Sequence, residues 1–290
     1  MEKKFMNIGN ETLAYLDEGQ GEVVLMIHGN MSSGVHFEPL ISRLQDQFRC
    51  IAVDLRGFGD STYNNRFDTL DELAEDVNLL LERLEIPSAY LVGWSNGGGV
   101  GLKLCALHPE KIKKFFDIEG ASLKGYPLFV KDEKLQSTGK PYADKEHLAT
   151  DPLSVAPMIP VFEKKDAAVM GAVWDATIYT VGKPSKEDGE RWIAETLKQR
   201  NLVDLDWALA SLNMSDEFTP YGAGDGSIHK VTCPVALTMG EQDIVVPSYM
   251  VMENFNALPN AKLLPYENCG HSPMVDCLDR LAADVRAFFA

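Results

Sequence analysis

The chain has 290 residues, 45% of them hydrophobic and 24% charged, a balance that suits a folded domain with a sizeable core. Acidic side chains number 43 and basic ones 27, giving a formal charge of −16. A field of that sign disfavours nucleic acid, anionic membrane surfaces and acidic substrates as general partners. The five cysteines are scattered without a C-x-x-C pair, and Met1 to Asn7 carries no apolar signal core. No apolar run is long enough to span a bilayer, so the expected location is a reducing cytoplasm.

Taken in order, residues 3–22 read as a hairpin, with 13–16 as a strand and Glu18-Gly19-Gln20-Gly21 as its turn. Residues 23–27 are uninterrupted apolar, as in a strand covered on both faces. That strand runs into His28-Gly29-Asn30-Met31-Ser32-Ser33-Gly34, where small residues let backbone N–H groups lie beside a neighbouring nucleophile. His28 itself reads as a structural hydrogen-bonder. A helix over 37–45 and a strand over 50–53 lead to Asp54-Leu55-Arg56-Gly57-Phe58-Gly59-Asp60-Ser61, read as a salt-bridged turn that braces the loops. The helix predicted over 71–84 turns Leu73, Val77, Leu80, Leu81 and Leu84 toward the sheet.

The central stretch is Tyr90-Leu91-Val92-Gly93-Trp94-Ser95-Asn96-Gly97-Gly98-Gly99-Val100. An apolar strand meets G-x-S-x-G, then a run with helical spacing that stops at His108-Pro109. Alone, G-x-S-x-G also fits a flexible loop. Between a strand and a helix it marks a sharp turn that lifts the Ser95 hydroxyl above the sheet, beside helix N-terminal amides. Ser95 is the candidate nucleophile.

Another strand over 114–120 ends in Glu119. From 122 to 228 the alternation stops, prolines recur, and Trp174, Trp192 and Trp207 occur among helical segments. This stretch reads as a helical cap, with each aromatic taken singly as filler for the cap's own core. Strands return over 233–239, before Asp243, and over 261–266, before Gly270-His271. A helix over 278–289 closes the chain.

Ser95, Asp243 and His271 follow the order Ser…Asp…His of the α/β-hydrolase triad. A serine hydroxyl attacks well only when an imidazole accepts its proton, and a carboxylate fixes that imidazole's tautomer. Glu119, Glu241 and Asp276 are rival acids, with Glu119 the serious one and Asp243 preferred. The backbone N–H groups of Asn30 and Asn96 are the candidate oxyanion donors, with Met31 as substitute for the first.

These motifs resemble the α/β-hydrolase superfamily over nearly the whole length. More narrowly, His28–Ser33, Gly93–Val100 and Gly120-Ala121-Ser122-Leu123-Lys124-Gly125-Tyr126-Pro127 resemble Bacillus-type intracellular polyhydroxybutyrate depolymerases. The resemblance implies an α/β-hydrolase fold, a mostly parallel central sheet flanked by helices with an inserted helical cap. Residues 1–121 and 229–290 would form the core and 122–228 the cap. The implied activity is hydrolysis of short-chain esters through an acyl-enzyme, 3-hydroxybutyrate oligomers included, with a small-molecule ester as the partner. Ser95 argues against epoxide hydrolases and haloalkane dehalogenases, which use aspartate at the elbow. Lactonases of acyl-homoserine or enol-lactone type, carbon–carbon hydrolases, perhydrolases and a non-enzymatic small-ligand receptor stay open. No metal or cofactor motif is visible.

Overall fold

The chain, described here over all of residues 1–290 from a computed structural model, begins with β1 (Lys4–Asn7), β2 (Thr12–Glu18) and β3 (Glu22–Ile27). Next come α1 (Glu38–Leu44), β4 (Phe48–Val53), α2 (Leu70–Arg83), β5 (Ala89–Trp94), α3 (Asn96–Leu107) and β6 (Ile112–Ile118). Helices then dominate: α4 (Lys145–Thr150), α5 (Ile159–Glu163), α6 (Ala167–Thr177), α7 (Lys186–Thr196) and α8 (Leu202–Ser211). A two-residue pair, β7 (Phe218–Thr219) and β8 (Gly222–Ala223), follows. The chain finishes with β9 (Val235–Gly240), α9 (Ser248–Ala257), β10 (Ala261–Tyr266), α10 (Pro273–Asp276) and α11 (Leu278–Phe289).

Eight strands form one sheet in the order β1-β2-β4-β3-β5-β6-β9-β10. From β4 to β10 every neighbouring pair is parallel; β1–β2 and β2–β4 are antiparallel. The expected hairpin is therefore misplaced. Its turn lies at residues 8–11, between β1 and β2, and residues 19–21 instead carry the chain past β4 to β3. Gly19 and Gly21 have positive φ, +82° and +104°, which makes the crossing look like a hairpin turn in sequence. The second partner of β2, β4, lies more than thirty residues away, with Tyr15 opposite Val53.

Successive strand residues point to opposite faces, so one strand feeds two layers. Leu25, Ile27, Leu91 and Phe115 pack with Leu73, Val77 and Leu81 of α2. Val24, Met26, Val92 and Phe116 pack with Ile41 of α1 and Val285 of α11 on the other side. Each such side chain is buried, contributing about 1.5–3 kcal/mol. The α2 helix starts with a Thr69–Glu72 capping box, which satisfies two of its free amides reciprocally.

Two of the three tryptophans between β6 and β9 pack with neighbours in that segment and also reach past it. Trp174 stacks on His36 at 5.1 Å and meets Trp94 at 6.3 Å, and Trp192 meets His36 at 5.6 Å. They fasten α6 and α7 to the sheet layer. Only Trp207 packs against the insertion's small internal cluster around Tyr142, Leu148, Val155 and Leu202. No helix is long and apolar enough to cross a membrane.

Candidate active site

Ser95 stands between β5 and α3 at φ 56°, ψ −117°, a backbone conformation that non-glycine residues rarely adopt. The surroundings enforce it. Its N–H donates to the Ile118 carbonyl (3.0 Å), and its own carbonyl accepts from the N–H groups of Gly98 (2.9 Å) and Ala121 (3.0 Å). The motif glycines answer to the same crowding. A Cβ on Gly97 would lie 1.9 Å from the Ile27 carbonyl oxygen, and one on Gly93 would lie 2.4 Å from that of Gly97.

His271 and Asp243 come from the loops after β10 and β9. The His271 Nδ1 and Asp243 Oδ2 are hydrogen-bonded at 2.8 Å. Asp243 Oδ1 accepts from the N–H groups of Val245 (2.8 Å) and Val246 (2.9 Å), which aims the carboxylate. The His271 carbonyl accepts from the Trp94 indole at 2.8 Å, tying this loop to the residue before Ser95. Burial alone would raise the Asp243 pKa, but the neighbouring His271 charge and hydrogen bond outweigh it and hold the carboxyl below its ordinary value.

Glu119, the rival acid, lies at the end of β6 with positive φ, 49°, and its Oε2 is 3.7 Å from His271 Nδ1. That is too long for a hydrogen bond. Complete burial pushes its carboxyl well above the carboxylate range, and the Asp243 charge adds to the effect. Of the two acids, Asp243 is held below its ordinary value and Glu119 is pushed above its own.

The amide assignments separate clearly. The Met31 N–H is engaged, donating to Asn30 Oδ1 (2.8 Å) and Gln199 Oε1 (3.0 Å), so it is not free to serve as the substitute donor. The Asn30 N–H donates to no group of the protein. Asn96 opens α3, where an N–H has no intrahelical acceptor. His28 has a bracing role: its Nε2 accepts from the Leu55 N–H at 3.1 Å, and burial pushes its pKa down to about 3. Asp54 accepts from the Gly34 N–H and from Lys3, while Arg56 forms a two-point pair with Asp76 at 2.6 and 2.7 Å. That turn is braced as the sequence suggests, although Asp54 and Arg56 bind separate partners.

Asn30, Ser95, Asn96 and His271 line one cavity of about 340 Å³. The insertion supplies much of its apolar wall, including Trp174 and Leu209. Sequence reasoning missed Tyr126, Trp174 and, above all, Asp206, which also lines it. A signal for Asp206 exists: it occupies the α8 stripe between Leu202 and Leu209, an acid where the helical period asks for an apolar residue. A larger groove of about 740 Å³ on the outer surface contains neither Ser95 nor His271 and is bordered by charged side chains such as Arg66, Lys198 and Asp204. Two carboxylate clusters bring three potential ligand atoms within 4.8 Å: Glu119, Asp243 and His271, and Asp54, Asp60 and Glu195. The first is engaged in the His–Asp hydrogen bond. The second surrounds the Lys3 ammonium, 2.7–2.8 Å from each acid.

A mostly parallel sheet with a strained serine elbow, and a histidine–carboxylate pair on later strand ends, defines an α/β-hydrolase architecture. Residues 22–276 match the alpha/beta hydrolase fold family, to which the chain belongs. The chain is 29% identical over 272 residues to a pimeloyl-[acyl-carrier protein] methyl ester esterase of Chromobacterium violaceum, covering 93% of each. It is 35% identical to a cis-3-alkyl-4-alkyloxetan-2-one decarboxylase of Shewanella oneidensis, but over 116 residues only, 39% of this chain and 36% of that protein. Among solved structures, the enol-lactonase of Burkholderia xenovorans superposes with a TM-score of 0.73 at 17% identity, covering 99% of both chains. A thermophilic esterase of Thermogutta terrifontis gives 0.71 at 18%, covering 100% of this chain and 98% of the other. At such identities the structural likeness speaks for the fold alone.

Proposed function

We propose that this chain is a serine carboxylic-ester hydrolase that works through an acyl-enzyme on short-chain esters. One observation carries the reading: Ser95 on its strained elbow and His271, already paired with Asp243, open into the same cavity. His271 Nε2 takes the Ser95 proton as the hydroxyl attacks the ester carbonyl. The Asn30 and Asn96 amides then stabilise the oxyanion. His271 returns the proton to the leaving alcohol and next activates the water that releases the acid. Residues 122–228 act as the cap, shielding this chemistry from bulk water.

A cavity of about 340 Å³ stands at the small end of the range for ligand sites, roughly 300–1,000 Å³, which favours acetyl to butyryl groups over long acyl chains. The resemblance to polyhydroxybutyrate depolymerases adds 3-hydroxybutyrate oligomers as substrates. The methyl ester esterase among the relatives supports ester cleavage. The enol-lactonase neighbour and a 2-(acetamidomethylene)succinate hydrolase relative keep lactone and related hydrolyses as the second reading.

A panel of p-nitrophenyl esters from acetate to palmitate tests this directly. kcat/KM is expected to peak between acetyl and butyryl, and a fluorophosphonate should label Ser95 and stop turnover. Ser95→Ala should lower kcat by on the order of 10⁶ if the triad acts as a unit. A peak at palmitate would overturn the short-chain reading. A protein that takes no label and cleaves neither ester nor lactone would be a receptor instead.

A further inference from the structure

Asp206 is a carboxyl without a charge partner. Its Oδ1 accepts from Asn30 Nδ2 at 2.8 Å, and Oδ2 accepts from no group of the protein. No lysine or arginine lines the cavity; the other titratable side chains there are Tyr126 and His271. The Tyr126 hydroxyl is committed to the Val245 carbonyl at 2.8 Å, and His271 is held by Asp243. Desolvation in the cavity wall pushes the half-buried Asp206 up to about 7, with the Asn30 hydrogen bond only partly opposing it. Leaving an acid in such a place costs stability, which makes it a candidate for function.

The group is also held in place. Asn30 Oδ1 accepts from the Met31 N–H and from Gln199 Nε2 (2.9 Å). Gln199 Nε2 also donates to Asn201 Oδ1 (2.9 Å), and Asn201 Nδ2 donates to the Arg56 carbonyl (2.6 Å). This row of amides fixes Asp206 through the same residue whose backbone N–H faces the reacting carbonyl. A second polar group is unsatisfied nearby: Asn96 is 1% exposed, and neither side-chain polar atom has a partner.

We propose that Asp206 is a specificity-determining residue that hydrogen-bonds a hydroxyl carried by the ester close to its scissile carbonyl. The assignment rests on the ester-hydrolase reading of Ser95 and narrows its substrates to hydroxylated short esters. A hydroxyl suits both forms of the acid, donating to the carboxylate and accepting from the neutral carboxyl. An anionic substituent is repelled by the ionised form, with no cation lining the cavity to offset it. A substrate lacking the hydroxyl leaves this half-buried carboxyl without that partner, the kind of loss by which enzymes discriminate.

The test compares methyl 3-hydroxybutyrate, methyl butyrate and monomethyl succinate by acid release. For the wild type at pH 7, kcat/KM for the hydroxy ester should exceed that for methyl butyrate by about tenfold or more. Asp206→Ala should bring that ratio close to one. Asp206→Leu, closer in volume, gives the same readout if the alanine variant fails to fold. In the wild type, the ratio of monomethyl succinate to methyl butyrate should rise as pH falls from 8 to 5.5, while Asp206 gains its proton. A wild-type hydroxyl preference near one, or a preference that survives Asp206→Ala and Asp206→Leu, would overturn the inference and leave the esterase reading standing. Failure to cleave any of the three esters, or the p-nitrophenyl panel, would remove both.

Discussion

At the residue scale, His271 faces two carboxyls, and distance and hydrogen bonding separate them. Asp243, held below its ordinary pKa, accepts two backbone N–H bonds and holds Nδ1 at 2.8 Å; Glu119, pushed upward by complete burial, lies 3.7 Å away. Asp243→Asn should therefore cost on the order of 10⁴ in kcat, because an amide in that place no longer enforces the required tautomer. Glu119→Gln keeps nearly the same shape and leaves the Asp243–His271 bond in place, so kcat should change by less than about tenfold. Steady-state kinetics on p-nitrophenyl butyrate reads both variants. Exchange of the two results would make Glu119 the third member.

At the scale of elements, α6 connects stability to selectivity. It presents Val173, Trp174 and Thr177 to the cavity, and Trp174 also stacks on His36 of the core. Trp174→Ala would remove an indole that is 2% exposed, at a cost of about 3–5 kcal/mol. The space gained lies along the substrate, so the acyl optimum should move toward hexanoyl or longer while Tm falls. The ester panel and a thermal melt check the two effects together; an unchanged optimum would place Trp174 away from the acyl group. The last strand and closing helix lie where sequence puts them, Ala261–Tyr266 and Leu278–Phe289, because their periodicity and flanking loops are local signals. That Ser95, Asp243 and His271 follow strand ends was legible for a related reason, since each sits in a short local motif. The turn of the first hairpin was not, because the glycines at 19–21 look like a turn although they lead to β3, and β2 has a second, distant partner in β4. Asp206 and Trp174 were missed because their roles depend on how the insertion docks, which neither spacing nor composition states.

Over the whole molecule, a charge of −16 surrounds a cavity without a lysine or arginine in its lining. Two separate repulsions then oppose an anionic ester: the long-range field of the surface and the local charge of Asp206. Salt distinguishes them, since the screening length shrinks from about 10 Å at 0.1 M to about 3 Å at 1 M, whereas a contact inside a cavity is screened far less. At pH 8, raising NaCl from 0.05 to 0.5 M should increase kcat/KM for monomethyl succinate severalfold and leave methyl butyrate nearly flat. What discrimination remains at high salt belongs to Asp206. In Asp206→Ala that residue should shrink while the salt slope persists, because the surface charge changes by only one unit. Parallel slopes for the two esters in the wild type would mean that the surface field does not reach the cavity mouth, and that all rejection of anions is local.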